Sequence, residues 1–247
     1  MPTKAREEIL LESFLSSAFF AEDDAAPVVS RLLERTPDPE EHAALTVYAA
    51  DEARHAELLG ALLRRKGVAP GEPFVIQRFF HVLRSRAAVL AQTYHVELMA
   101  GVFYGAVAQA TRDPDTRSVL RRILLDEARH IRLHRELYRR EIARQRGLGR
   151  IRARILASLL RRTVRFTAWL QARQLAPLLG ERARYLPDRI DRRIVADSKG
   201  IFRDRPSSSA TEIPTREDPP ALERNHPSPR SRRHEAHRSR LPVEAGP

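Results

Sequence analysis

The sequence predicts an all-α protein: an antiparallel four-helix bundle made of two pseudo-symmetric helical hairpins, followed by one or two further helices. Three observations predict it. Sustained period-2 alternation and Asn-Gly hairpin signatures are absent, so strands have no signal. Long stretches carry apolar residues at helical spacing, punctuated by Asp-Pro pairs that suit helix starts. The chain also repeats itself at an offset of 75 residues.

The elements follow in order. A first helix is expected from about Ala5 to Leu33, kinked by Pro27, which lacks a backbone N–H. The second begins at Asp38-Pro39-Glu40-Glu41, where Asp can cap, Pro fits the first position and the acids favour the first turn. It runs to about Lys66 and stops at Gly67. A connection containing Pro70, Gly71 and Pro73 leads to a third helix, about Val82 to Thr111, with a preliminary turn from Phe74. The fourth opens at Asp113-Pro114-Asp115 and reaches about Arg146. A fifth covers Ile151 to Leu179, with Pro177 near its end, and a short helix follows around Pro187–Lys199. The domain reading is therefore a bundle over residues 1–146, a basic helical extension packed on it over 147–202, and a tail over 203–247. That tail is rich in Pro, Ser, Arg and Glu and poor in aliphatics, the composition of a disordered segment.

Composition narrows function. Without cysteine there are no disulfides, iron–sulfur clusters, thiolate zinc sites or thiol catalysis. No run of apolar residues is long enough to span a bilayer. The first residues enter an amphipathic pattern directly, without the apolar core of a signal peptide, so a cytoplasmic location is expected. The net charge of +12 is local: Arg144 to Arg193 holds 14 Arg against 3 acids, whereas the first 140 residues are near balance. Nucleic acid is disfavoured as a partner, because no binding motif accompanies the charge.

The repeat carries the chemistry. Asp51-Glu52-Ala53-Arg54-His55 recurs as Asp126-Glu127-Ala128-Arg129-His130, and Thr36, Asp38 and Pro39 recur as Thr111, Asp113 and Pro114. Thirteen of the 30 positions from Thr36 to Arg65 are identical at the offset. The same offset relates Glu22 to Glu97, and each precedes its hairpin partner, Glu52 or Glu127, by 30 residues. Residues equidistant from a turn lie at one height, here about 22 Å from it at roughly 1.5 Å per residue. Four Glu and two His should therefore meet at one level of the bundle. Glu and His at i, i+3 share a helix face, and two such pairs plus one Glu from each remaining helix are a dimetal ligand set. Carboxylates offset the repulsion between two cations, and imidazole suits iron. A lone ExxH is more often a surface ion pair; the doubled, in-register form is what points to metal.

On the motif E…ExxH…E…ExxH, carried by Glu22, Glu52, His55, Glu97, Glu127 and His130, the chain resembles the di-iron carboxylate proteins of the ferritin-like superfamily over roughly residues 5–146. The doubled DEARH is similar in style to acyl-carrier-protein desaturases, multicomponent monooxygenases and arylamine N-oxygenases. The resemblance implies two iron ions (manganese or a mixed Mn/Fe pair being alternatives) ligated by those six residues, which would act catalytically through the metals. It also implies that Asp51 bonds His130 across the bundle, that Asp126 bonds His55, and that Arg54 and Arg129 neutralise the two Asp. His134, one turn after His130, is expected to support the site or fill the core. Tyr48 and Tyr104 could bond ligands, although ordinary core packing is the weightier reading, and His95 is expected to face another helix or solvent. Asp23 and Asp24, beside Glu22, make it the weakest ligand assignment.

Departures from the pattern bear on the reaction. Leu59 stands where ribonucleotide reductase small subunits carry a radical Tyr, and Ala100 and Gly101 stand where desaturases and monooxygenases carry a Thr. Ala25, Ala26, Ala100 and Gly101 either leave room for O₂ or substrate or let helices approach closely. The implied function is an O₂-activating oxygenase or oxidase acting on a small or carrier-bound organic substrate, fed by an external electron donor. The alternative is a ferroxidase or ferritin-like iron-handling protein. A homodimer is compatible with either. The basic stretch 151–179 reads first as a helix on the bundle with a solvated face; as a docking surface it would suit an acidic carrier protein or an anionic membrane.

Overall fold

The computed structural model describes residues 3–70, 83 and 85–202, and every regular element among them is helical. Helix α1 spans Thr3–Asp23 and α2 spans Ala25–Leu33. The single kinked helix expected here is thus two helices. The Pro27 ring would collide with the Asp23 carbonyl four residues earlier. The break at Asp24 removes that clash and leaves Pro27 in the first turn of α2, where a missing N–H costs nothing.

Helix α3, Pro39–Arg65, starts as its sequence indicates: the Asp38 carboxylate accepts from the backbone N–H groups of Glu40 and Glu41 at 3.0 and 3.1 Å. It ends at Gly67, whose φ of +70° favours glycine. Helix α4, Arg86–Ala110, begins later than expected because the Ser85 hydroxyl caps it, accepting from the Ala88 N–H at 3.2 Å. Gly71, Pro73 and the turn expected from Phe74 lie outside the described residues. Helix α5, Pro114–Arg144, is capped by Asp113, which accepts from the Thr116 N–H at 3.3 Å. Gly147, at φ +51°, reverses the chain into α6, Leu148–Gln174. The fifth helix therefore starts earlier than expected and stops short of Leu179. Pro177 would clash with the Arg173 carbonyl, so the chain turns at Leu175 and restarts as α7, Ala176–Leu179. A 3₁₀ turn, Gly180–Tyr185, leads to α8, Leu186–Ile201. The segment expected to be disordered, 203–247, lies outside the described residues.

Helices α1 and α2 pair with α3, α4 pairs with α5, and α3 packs on α5 to join the two hairpins into the bundle. Leu15, Leu45, Leu59, Leu90, Leu120 and Leu137 are fully buried in its core, each contributing on the order of 1.5–3 kcal/mol by leaving water. Helix α6 lies along α4 and α8, and α8 also touches α5. At the turn end, Glu41 is fully buried against Arg86 at 2.5 Å, and Arg86 also reaches Glu141 at 2.8 Å. No helix among the described residues is long and apolar enough to cross a membrane.

Candidate metal centre

The bundle brings Glu22 from α1, Glu52 and His55 from α3, Glu97 from α4, and Glu127 and His130 from α5 to one level, all buried. Ligand atoms of Glu52, His55, Glu127 and His130 lie within 4.8 Å of one another. Glu22 and Glu97 flank this cluster, with carboxylate oxygens 3.5 Å from His55 Nδ1 and 3.7 Å from His130 Nδ1. Glu22 turns inward, whereas Asp23 is exposed and Asp24 is half-buried. The hairpin geometry thus separates three consecutive acids.

The imidazoles are aimed from behind. His55 Nε2 is 3.2 Å from Asp126 Oδ2, and His130 Nε2 is 3.5 Å from Asp51 Oδ2, each pair reaching across from one hairpin to the other. With a metal bound, a proton on each Nε2 directed at its Asp would leave the Nδ1 lone pair facing the cluster. The two Asp and two Arg close a ring of charge. Arg54 bonds Asp51 at 2.7 Å and Asp126 at 2.6 Å, while Arg129 bonds Asp51 at 2.9 Å and Asp126 at 2.6 Å. Burial alone would raise the Asp51 and Asp126 pKa values; hydrogen bonds from His and Arg overcome it and hold both well below the usual carboxylate range.

The inner carboxylates behave differently. Burial, then the charges of Glu22 and Glu97, push Glu52 and Glu127 well above the normal carboxyl pKa. Glu97 resists its burial through His130 and is held down to about 2; Glu22 is lowered in the same way by His55. His130 is raised to about 10 despite burial, by Asp51 and Glu97. Both Glu127 oxygens and His55 Nδ1 are buried without a hydrogen-bond partner, and His130 Nδ1 and Glu52 Oε1 form an ion pair at 2.8 Å. A buried polar atom left without a partner costs about 1–3 kcal/mol, more where charge is involved. These oxygen and imidazole donors, pointing at one place, fit a metal ion of the kind such ligands hold. The cluster of two Glu and two His is able to hold one.

Both tyrosines serve the site, contrary to the core-packing reading. Tyr48 donates to Glu97 Oε1 at 2.7 Å, and Tyr104 donates to Glu22 Oε1. His134 is fully buried with neither ring nitrogen bonded, edge-on to Tyr48 at 4.5 Å between ring centres. Burial, reinforced by the charge of His130, holds its pKa down to about 4 against the opposing pull of Glu97, so it is neutral at pH 7. His95 is not at solvent: it is buried, with Nδ1 2.5 Å from the Ala91 carbonyl. Of the small residues, Ala25 and Ala100 line a cavity, whereas a Cβ on Gly101 would rest in ordinary contact with Ile131 at 3.6 Å and Glu127 Cβ at 3.7 Å, so the approach of α4 and α5 does not demand glycine there.

That cavity, about 660 Å³, ends on Glu22, Glu52 and Glu97 beside Tyr48 and Tyr104. Its far wall comes from Thr167, Leu170, Gln171 and Gln174 of α6, with Leu175. The sequence raised space at Ala25 and Ala100 only as one of two alternatives and gave no sign of this wall, because no local pattern marks a gap between five helices distant in sequence.

An all-α bundle with a buried Glu/His centre on four helices defines the class of fold. The ferritin-like domain model matches residues 9–139, more than half of the chain, and the chain belongs to that family. A comparison with curated proteins returned no match.

Proposed function

We propose that the protein is a non-haem di-iron oxidoreductase that activates O₂ toward an organic substrate. The observation that carries this reading is the cavity of about 660 Å³ running from the protein's flank to the carboxylates of the centre. A centre that only handled iron would have no use for an organic-sized, mostly apolar space at its ligands. Glu22, Glu52, His55, Glu97, Glu127 and His130 would hold the two ions, which when bound supply the electrons and Lewis acidity for O₂ chemistry.

The chain's own residues set the conditions for that chemistry. Asp51 and Asp126 fix the imidazole orientations from behind. The Arg54–Arg129 pair balances their charge, so the ring adds no net charge to the site. Tyr48 and Tyr104 steady Glu97 and Glu22, two of the carboxylates that line the cavity, by donating a hydrogen bond to each. Phe14, Met99 and Phe103 exclude water from the approach. Electrons come from an external donor, since the sequence offers no cysteine for a redox site of its own. In this reading residues 1–146 supply the centre and 147–202 complete the cavity.

Aerobic purification from iron-replete cells, with metal analysis, absorption spectroscopy and size exclusion, tests the reading. Two irons per chain on a monomer or dimer are expected. A large hollow oligomer mineralising many irons per chain would make the protein an iron store instead, and protein that refuses Fe(II) would overturn the centre itself.

A further inference from the structure

Among the described residues the cavity has no basic lining. Arg, Lys and His contribute nothing to it, in a protein with 44 Lys and Arg. Its charged groups are all acids: Glu22, Asp24, Glu52 and Glu97. In the metal-free protein a carboxylate or phosphate entering it would lose its water and meet acids with no basic side chain to offset the cost. The remaining wall is chiefly aliphatic and aromatic, including Leu10, Val28, Val96 and Leu175. Gln92 is only 5% exposed, lines the cavity, and makes no hydrogen bond to a described residue. Its carboxamide is therefore open to a hydrogen-bonding guest from the cavity side. The volume falls within the roughly 300–1,000 Å³ of pockets that enclose small organic ligands.

We propose that this cavity binds an uncharged, chiefly apolar organic molecule whose single hydrogen-bonding group is met by Gln92, with α6 setting the length that fits. As the substrate class of the proposed oxidoreductase it rests on that reading, but binding is measurable without turnover. Decanol, decanoate and decane, matched in chain length, are titrated calorimetrically onto metal-free protein, and decanol and decane onto iron-loaded protein as well. Decanol should bind one per chain, and decanoate at least about tenfold more weakly. Gln92→Leu should weaken decanol about tenfold and leave decane unchanged. Leu170→Trp, at a half-exposed position on the α6 wall, should weaken both while retaining helicity and metal uptake. Decanoate binding as well as decanol, or Leu170→Trp leaving all three unchanged, overturns the proposal. Decanol binding without any stimulation of O₂ consumption would leave it standing and count against the oxidoreductase reading alone.

The outer face of α6 carries a separate feature. Leu148, Ile151, Ile155, Leu159, Phe166 and Trp169 are all exposed and, at spacings of three, four and seven residues, form one stripe. The helix contains seven Arg and no acid. Arg161 and Arg165 pair with Asp191 and Asp188 of α8, whereas Arg152 and Arg162 flank the stripe exposed. A second copy docked through this face would set Arg against Arg without an acid to separate them. We infer that this face lies on an anionic bilayer, its apolar stripe in the headgroup region and its arginines on lipid phosphates. Co-sedimentation of the full chain with vesicles tests it. Phosphatidylcholine vesicles containing phosphatidylglycerol should pull the protein down, pure phosphatidylcholine vesicles should not, and Phe166→Ser with Trp169→Ser should lose about tenfold in binding. Equal binding to both vesicle types, no binding to either, or an unaffected double variant would sink it, as would stoichiometric capture of an acidic carrier protein by the same face.

Discussion

The Tyr48 hydroxyl on α3 donates to Glu97 Oε1 on α4 at 2.7 Å, tying one hairpin to the carboxylate of the other at the inner end of the cavity. Both groups are buried, and burial together with the surrounding carboxylates raises the Tyr48 pKa far above its usual value, so the proton stays on the phenol. Tyr48→Phe leaves an ionised carboxylate one donor short. Urea unfolding of the metal-free protein should show a loss of about 1–3 kcal/mol, the range for a hydrogen bond to a charged group. An unchanged midpoint would mean that Glu97 is satisfied elsewhere.

Asp51 and Asp126 are placed to act on a bound metal through the imidazoles of the opposite hairpin. Asp51→Asn and Asp126→Asn should each weaken metal affinity by about 10–100-fold, as loss of a group behind a ligating His does. Chelator competition measures this. The pseudo-symmetry of the ring makes a further demand: the two variants should be of similar size, and a large inequality would show that the two halves hold metal differently.

Loading the centre should release protons. Glu52 and Glu127 sit above their normal pKa values and His130 is raised to about 10, so near pH 7 the metal-free site carries protons that ligation must displace. The sign follows: apparent metal affinity rises with pH through the neutral range. Calorimetry in buffers of different ionisation enthalpy counts the protons released, and a count of zero would contradict the protonation pattern.

The buried pair at the turn end is a fold determinant rather than part of the site. Glu41→Ala takes from Arg86 the nearer of its two acids among the described residues, leaving Glu141 at 2.8 Å, and removes the partner that Arg144 meets at 3.4 Å. Removing one partner of such a pair costs about 3–5 kcal/mol. A drop of that order in unfolding free energy, with metal stoichiometry retained in the folded fraction, is the expected result.

How far the sequence could be read follows from what was local. The two Asp-Pro caps fix where α3 and α5 begin, and the repeated DEARH fixes their inner faces, so the level at which Glu22 and Glu97 meet them could be calculated from residue counts. The tyrosines could not be reached this way, because they break the repeat: the offset pairs Tyr48 with Ile123 and Tyr104 with Val29. Their partnership with Glu97 and Glu22 is symmetric in role and asymmetric in position. The break at Asp24 was legible in principle from Pro27, since a clash with the residue four before it places the interruption upstream of the proline itself. Glu41 gave no signal, because a surface acid in a first turn and a buried one look alike until Arg86 is brought against it.

The wall that α6 builds has a consequence for how the protein could diversify. The ligands and the groups behind them lie within residues 9–139, whereas Leu170, Gln171 and Gln174 lie beyond that segment. In the proposed function, reactivity and selectivity would therefore be inherited from different stretches of chain. Grafting another sixth helix onto the same bundle would then change what is admitted to the centre while leaving its ligands alone, much as a lock is rekeyed without replacing the door.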